Sequence, residues 1–277
     1  MSWRESVLSG FELLRKKIYK GPIKQAFIAA GIESLSRRAY SAVLGTISND
    51  DIVTQEIDDV QASFRVTTGL EVQRFRSLMD EYDVLERVLH DIRPNDVFYD
   101  VGANVGLYTC FVAPLSAHTV AFEPHPANVE RLQENINLND ISNTTVRQEA
   151  LSNSNDTAEL VSQGTDIAGE GTHAIATGLD SRSIEVDTIR GDSLPSSVPD
   201  PDVIKIDVEG AEMEVLEGLS DVLEDCAVVY CELHLPELDR RGHSPEDIYA
   251  LLEEHGFATN SLTNRGEEEF VHASKRH

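Results

Sequence analysis

Asp96–Cys110, DVFYDVGANVGLYTC, decides the fold of this chain. Its first half, Val97 to Asp100, reads as an apolar strand that closes on an acid. A glycine-rich turn follows at once, Gly102-Ala103-Asn104-Val105-Gly106, and then an apolar helix. Glycines between a strand and a helix let backbone N–H groups approach a ligand closely, which is the plan of a nucleotide-type site. The dinucleotide pattern G-x-G-x-x-G requires glycine at position 104, where this chain has Asn104. Asp100 at the strand end would repel a pyrophosphate and attract a cationic group.

Outward from this stretch, strands and helices alternate. The spacing predicts strands at 97–100, 118–123, 144–148, 183–189, 203–207, 227–233 and 257–262. It predicts helices at 82–92, 106–115, 126–138, 210–223 and 245–255. A polar Gly/Ser/Thr-rich stretch, 152–182, holds one short strand at 157–162 and is long enough to form a substrate lid. Residues 52–57 and 62–66 are expected to pair as a hairpin. The alternation implies an α/β protein with a mostly parallel sheet covered on both faces, and ligands at the C-terminal ends of its strands.

Polar groups stand at four of those ends: Asp100, Glu123, Asp207 and His234. Glu123 lies 21 residues after Gly102, where an acid grips a ribose hydroxyl pair and rejects a 2′-phosphate. Glu149 and Ala150, after the third strand, are placed to meet an adenine ring. The cationic ligand that Asp100 would welcome is one such as S-adenosylmethionine, through its amino group. In VIKIDVEGAEMEVLEGL, Val203–Leu219, the charged Lys205 sits inside an apolar strand and needs a partner. Asp207, Glu209 and Glu212 gather at the end of that strand and the start of the next helix. Glu212 suits the helix dipole. Asp207 and Glu209 lie where a substrate would sit, and with His234 could hold a divalent cation, although no metal is assigned here. His234, with an ordinary pKa near 6.5, suits removal of a proton from a sugar hydroxyl.

Three blocks, DVFYDVGANVGLYT, VAFEPHPANVERLQENINLN and VIKIDVEGAEMEVLEGL with VVYCELH after it, resemble the FkbM family of S-adenosylmethionine-dependent methyltransferases. The likeness spans about residues 80–260. It implies a class I methyltransferase (Rossmann-like) fold, a seven-stranded sheet with one antiparallel hairpin strand. It implies that Asp100, Gly102, Asn104 and Gly106 surround the methionine part of the cofactor, with Glu123 on the ribose. Asp207 and Glu209 match the motif facing the methyl-transfer centre. Members often O-methylate sugars or polyketide-type products. The Tyr-Glu pair usual before the first helix stands here as Tyr82-Asp83.

Composition narrows the rest. The 277 residues carry a net charge of −26, with a pI near 4.6. Lysine is confined to Lys16, Lys17, Lys20 and Lys24, then Lys205 and Lys275. Such a surface suits a cytoplasm at very high salt, so a halophilic source is expected, and it argues against nucleic-acid binding. Residues 1–40 hold eight basic and three acidic residues, so +8 − 3 = +5 against −31 for the remainder. With Val7, Leu8, Phe11, Leu14 and Ile18 at helical spacing, they read as a basic amphipathic helix. Such a helix docks on its own acidic domain or lies on the anionic inner face of a membrane. The expected division is an extension over 1–75 and a methyltransferase domain over 76–277. Cys110 and Cys231 read as small core residues. No apolar run approaches the ~20 residues that span a bilayer, and no signal-peptide core is present, so a cytoplasmic protein is expected. The function expected is O-methylation of a glycan hydroxyl, with a lipid-linked surface glycan at the inner membrane face as one acceptor. The alternatives are an NAD-dependent oxidoreductase and a cofactor-binding scaffold without turnover. The sequence leaves the oligomeric state open.

Overall fold

In the computed structural model, residues 52–67, 71, 75, 78, 81–163, 172–175 and 183–276 are described; the expected basic helix within 1–40 lies outside them. The elements are β1 (Ile52–Ile57), β2 (Val60–Arg65), α1 (Tyr82–Asp91), β3 (Val97–Val101), α2 (Leu107–Val112), β4 (His118–Phe122) and α3 (Pro126–Leu138). There follow β5 (Thr144–Arg147), β6 (Ala150–Ser152), β7 (Asp156–Gln163), β8 (Thr172–Ile175) and β9 (Ser183–Arg190). The chain continues with β10 (Val203–Ile206), α4 (Glu212–Gly218), α5 (Ser220–Asp225), β11 (Val228–His234), α6 (Leu235–Arg240), α7 (Pro245–Glu254), β12 (Ala258–Asn264) and β13 (Glu268–Ser274).

Seven strands form one sheet in the order β12-β13-β11-β10-β3-β4-β5. The pairs from β11 through β5 are all parallel. β13 runs antiparallel to both β11 and β12. This is the fold class expected: a mostly parallel seven-stranded sheet with one antiparallel hairpin strand.

Alternation along the buried strands divides them between two helical layers. Tyr99, Val101, Ile204, Ile206, Val229, Cys231 and Leu233 share a core with residues of α4, α5, α6 and α7. On the other face Ala121 packs with Leu132 and Ile136 of α3. Tyr230, also on that second face, donates its hydroxyl to Asp91 of α1 at 2.6 Å. The same face therefore carries Asp100, Lys205 and Tyr230, which are register partners across three strands. Cys110, Cys226 and Cys231 are all buried and unpaired with one another.

The polar stretch holds the strand expected at 157–162, as β7, and a second one, β8. β7 and β9 pair antiparallel, and with β6 and β8 they make a separate four-stranded sheet. Residues 164–171 and 176–182, which carry the rest of the expected lid, lie outside the described residues. The single helix expected over 210–223 is two, because α4 ends at Gly218 and α5 begins at Ser220.

The chain divides into two compact units, residues 1–55 with 64–79 and residues 56–63 with 80–277, compared with the expected boundary at 75/76. In the first unit Phe64 stacks on Phe75 with ring centroids 4.3 Å apart. The described part of the second unit holds the seven-stranded sheet. No helix among the described residues is long and apolar enough to cross a membrane.

Candidate functional site

The turn after β3 is built by close backbone approach. Gly102 has φ +77, and a Cβ there would lie 1.8 Å from the backbone oxygen of Asp207. Any side chain at this position would push the β3 and β10 ends apart. Asn104 has φ +51, and asparagine is among the few side chains that tolerate the left-handed region. That accounts for asparagine where the dinucleotide pattern has glycine. Gly106 has φ +91, and a Cβ there would meet Leu132 of α3 at 2.5 Å.

Asp100 is completely buried beneath the turn. Its Oδ2 accepts from the Thr109 backbone N–H at 2.9 Å and from the Thr109 hydroxyl at 2.6 Å. Its Oδ1 has no hydrogen-bond partner among the described residues, and Lys205 Nζ stands 3.7 Å away. Burial raises the Asp100 carboxyl above its usual range, against the pull of Lys205 and Thr109. The partner that Lys205 requires is therefore present twice over, since Asp207 Oδ2 lies 3.2 Å from Nζ as well. Burial would lower the Lys205 ammonium, but Asp207 and Asp100 outweigh it and the group is raised. Its Nζ also sits 4.8 Å from the centre of the Tyr108 ring.

Glu123, at the end of β4, is held from the side of the turn. Its Oε2 accepts from the Asn104 N–H at 2.8 Å, and its Oε1 from the His125 N–H at 2.9 Å and Asn128 Nδ2 at 3.2 Å. Burial nevertheless pushes its carboxyl up to about 7, because three donors offset only part of the lost hydration. Glu149 forms a two-pronged ion pair with Arg147 at 2.8 Å for each contact, and Ala150 beside it is buried.

The ends of β10 and β11 bring the other expected residues together. His234 is buried, with Nδ1 2.8 Å from Glu212 Oε1. Its Nε2 lies 3.3 Å from Glu209 Oε2 and 3.8 Å from Asp207 Oδ1. Burial would lower the imidazole, but the Glu212 hydrogen bond and the Asp207 and Glu209 charges lift it to about 10. The expectation of a ring titrating near 6.5 is corrected on this point: three acids converge on it. Glu212 is fully buried and also accepts from the Gly210 N–H at 2.8 Å, so its role extends beyond the helix dipole.

A model of the FkbM methyltransferase domain matches residues 100–258. The chain belongs to this family. A hexuronic acid methyltransferase of Haloferax volcanii, AglP, is 34% identical over 218 residues, covering 78% of this chain and 86% of that protein. A methyltransferase of Beauveria bassiana is 30% identical over 166 residues, covering 50% of this chain and 66% of that protein. Among solved structures, an FkbM methyltransferase from Methylobacillus flagellatus KT is 14% identical, with a TM-score of 0.44 over 88% of this chain and 60% of that one.

In this FkbM methyltransferase two acids near the site had escaped the sequence reading. Tyr82 is exposed, and the acid that turns inward before α1 is Glu81, which accepts the Tyr108 hydroxyl at 2.6 Å. Glu232 is 6% exposed in the middle of β11, and burial together with Asp207 and Glu81 pushes its carboxyl up to about 8. The signal for Glu232 was present: it lies two residues before His234, on the same face of the strand.

Proposed function

We propose that this methyltransferase transfers a methyl group from S-adenosylmethionine to a hydroxyl of a sugar in a glycan. The observation that carries the reading is the wall formed by Asp100, the 102–106 turn and Glu123 at adjoining strand ends. Two buried oxygens in that wall, Asp100 Oδ1 and Asn104 Oδ1, have no hydrogen-bond partner among the described residues. Unmet acceptors beside a glycine-built turn fit a ligand that brings donors and positive charge. Asp100, Gly102, Asn104 and Gly106 would hold the methionine part. Glu123 would accept from the ribose hydroxyls, and Glu149 and Ala150 would border the adenine.

When bound, the donor supplies a methyl group already activated on a positive sulfur. The chain's own residues then have to position the acceptor for in-line attack, and holding two reactants in line can supply most of the acceleration. His234, Glu209 and Asp207 face that acceptor end. The 34% identity to a protein named for hexuronic acid supports a sugar acceptor. The basic stretch 1–40 would keep the enzyme against the anionic cytoplasmic face of a membrane where such glycans are assembled.

Calorimetry with S-adenosylmethionine and with NAD tests the cofactor. Binding of the first and not the second is expected; the reverse would overturn the reading in favour of an oxidoreductase. Incubation with labelled donor and glycans containing hexuronic acids should yield a product one methylene heavier. Donor binding with no labelled product from any glycan fraction would leave a scaffold as the better account.

A further inference from the structure

We propose that Asp207, Glu209 and His234 form a divalent-cation site at the acceptor end of the pocket, suited to Mn²⁺ or an ion of like chemistry. Its binding stands on these residues alone; its role in the reaction rests on the function proposed above.

One oxygen of Asp207, one of Glu209 and one nitrogen of His234 lie within 4.8 Å of one another. His234 Nε2 is 3.3 Å from Glu209 Oε2 and 3.8 Å from Asp207 Oδ1. Ligand atoms at neighbouring corners of a six-coordinate ion with bonds of about 2.1 Å stand about 3 Å apart, so small side-chain shifts complete the geometry.

The surroundings are those of a ligand set. His234 turns Nδ1 to the buried Glu212, which the Gly210 N–H also holds. A carboxylate on the far nitrogen of a metal-binding histidine fixes the ring and the tautomer that presents Nε2 to the ion. Asp207 turns Oδ2 to Lys205 and Oδ1 toward His234. Charge points the same way. Asp207 and Glu212 both stand beside the same imidazole as Glu209, and Glu212 Oε2 is buried with no hydrogen-bond partner among the described residues. Three carboxylates, those of Asp207, Glu209 and Glu212, stand within 4 Å of the one imidazole, and a divalent ion would offset that concentration of negative charge.

One imidazole and two carboxylates leave about half of a six-coordinate shell open. Two neighbouring oxygens of a sugar fit those positions, which would orient the acceptor and lower the pKa of its hydroxyl. The hydroxyl proton leaves to water. The oxygen–methyl bond forms as the methyl–sulfur bond of the sulfonium donor breaks, its electron pair stays with sulfur, and the ion keeps its oxidation state.

Manganese binding to the full-length, EDTA-stripped protein tests the site, followed by the paramagnetic resonance signal of the free aquo ion. Molar KCl suppresses loose association with the acidic surface. One tightly held Mn²⁺ per chain is expected. Glu209→Gln and His234→Asn should each weaken it at least about tenfold, and Glu212→Gln by about 10–100-fold. Glu254→Gln, on an exposed helix end, should bind as the parent does. Melting curves identify any variant that fails to fold, and the part-exposed Glu209 decides the matter if His234→Asn does. Absence of a bound ion in the parent, or affinity unchanged in Glu209→Gln, would overturn the site. Calorimetry with S-adenosylmethionine in EDTA separates the two readings. Donor binding without Mn²⁺ binding sinks the metal site alone, and Mn²⁺ binding without donor binding sinks the proposed function alone.

Discussion

Glu123 joins titration to the cofactor end of the pocket. Its pKa rises from 4.5 to about 7 on burial, so the folded protein binds more protons than the unfolded chain between those values. Its ionisation therefore works against folding as pH rises through that window. A ribose that donates to the carboxylate would favour the charged form. Donor affinity should accordingly tighten up to about tenfold between pH 6 and 8, and the dependence should flatten in Glu123→Gln; calorimetry across that range checks it. Gly102→Ala tests the turn. A methyl group 1.8 Å from the Asp207 oxygen, at φ +77, cannot be accommodated without moving backbone. A loss of at least ~2 kcal/mol in stability is expected, with donor binding abolished in whatever folds, as read by thermal melting and calorimetry. At this scale the sequence was legible wherever a polar side chain closes an apolar strand, as at Asp100, Glu123, Asp207 and His234. Glu81 was hidden because its inward direction depends on which face of the sheet meets α1, whereas Glu232 shares the His234 face of β11 and its spacing was there to read. The lifted pKa of His234 was hidden too, since Glu212 reaches it from another element.

The elements divide along the same line. α7 begins with a capping box, in which the Ser244 side chain accepts from the Asp247 N–H and the Asp247 carboxylate accepts from the Ser244 N–H at 2.8 Å. Ser244→Ala should cost about 1 kcal/mol and lower the melting temperature by about 2–4 °C, which calorimetric scanning would detect. The main helices and parallel strands were legible because their apolar spacing is local. β13 was not: its Glu268, Glu269 and His272 make it look polar, and His272 is buried only because Asp91 of α1 stands 3.1 Å from its Nε2. The break between α4 and α5 had its signal in Gly218-Leu219-Ser220. The helix cannot be padded there, since a Cβ at Gly218 would lie 1.9 Å from the Ser152 oxygen. Strands were expected at 157–162 and 183–189, but their pairing as β7 and β9 in a separate sheet was not, because the exposed positions of these two strands are rich in Ser, Thr, Asp and Glu, a composition shared with loops.

For the whole molecule, a charge of −26 is the dominant fact. Self-repulsion reaches about 10 Å at 0.1 M salt and about 3 Å at 1 M. The melting temperature should therefore climb as KCl is raised over that range, in a scan at fixed pH; a flat or falling curve would show that the acids are already compensated. The order of strands bears on synthesis as well. A ribosome releases β11, then β12, then β13, yet β13 lies between the other two and bonds to both. Until β13 emerges, the flank of β11 is a bare row of backbone donors and acceptors, open to any neighbouring nascent chain. A polypeptide stalled short of Glu268 would carry that sticky flank next to an unfinished His234, which makes the closing strand a checkpoint between translation and a working pocket.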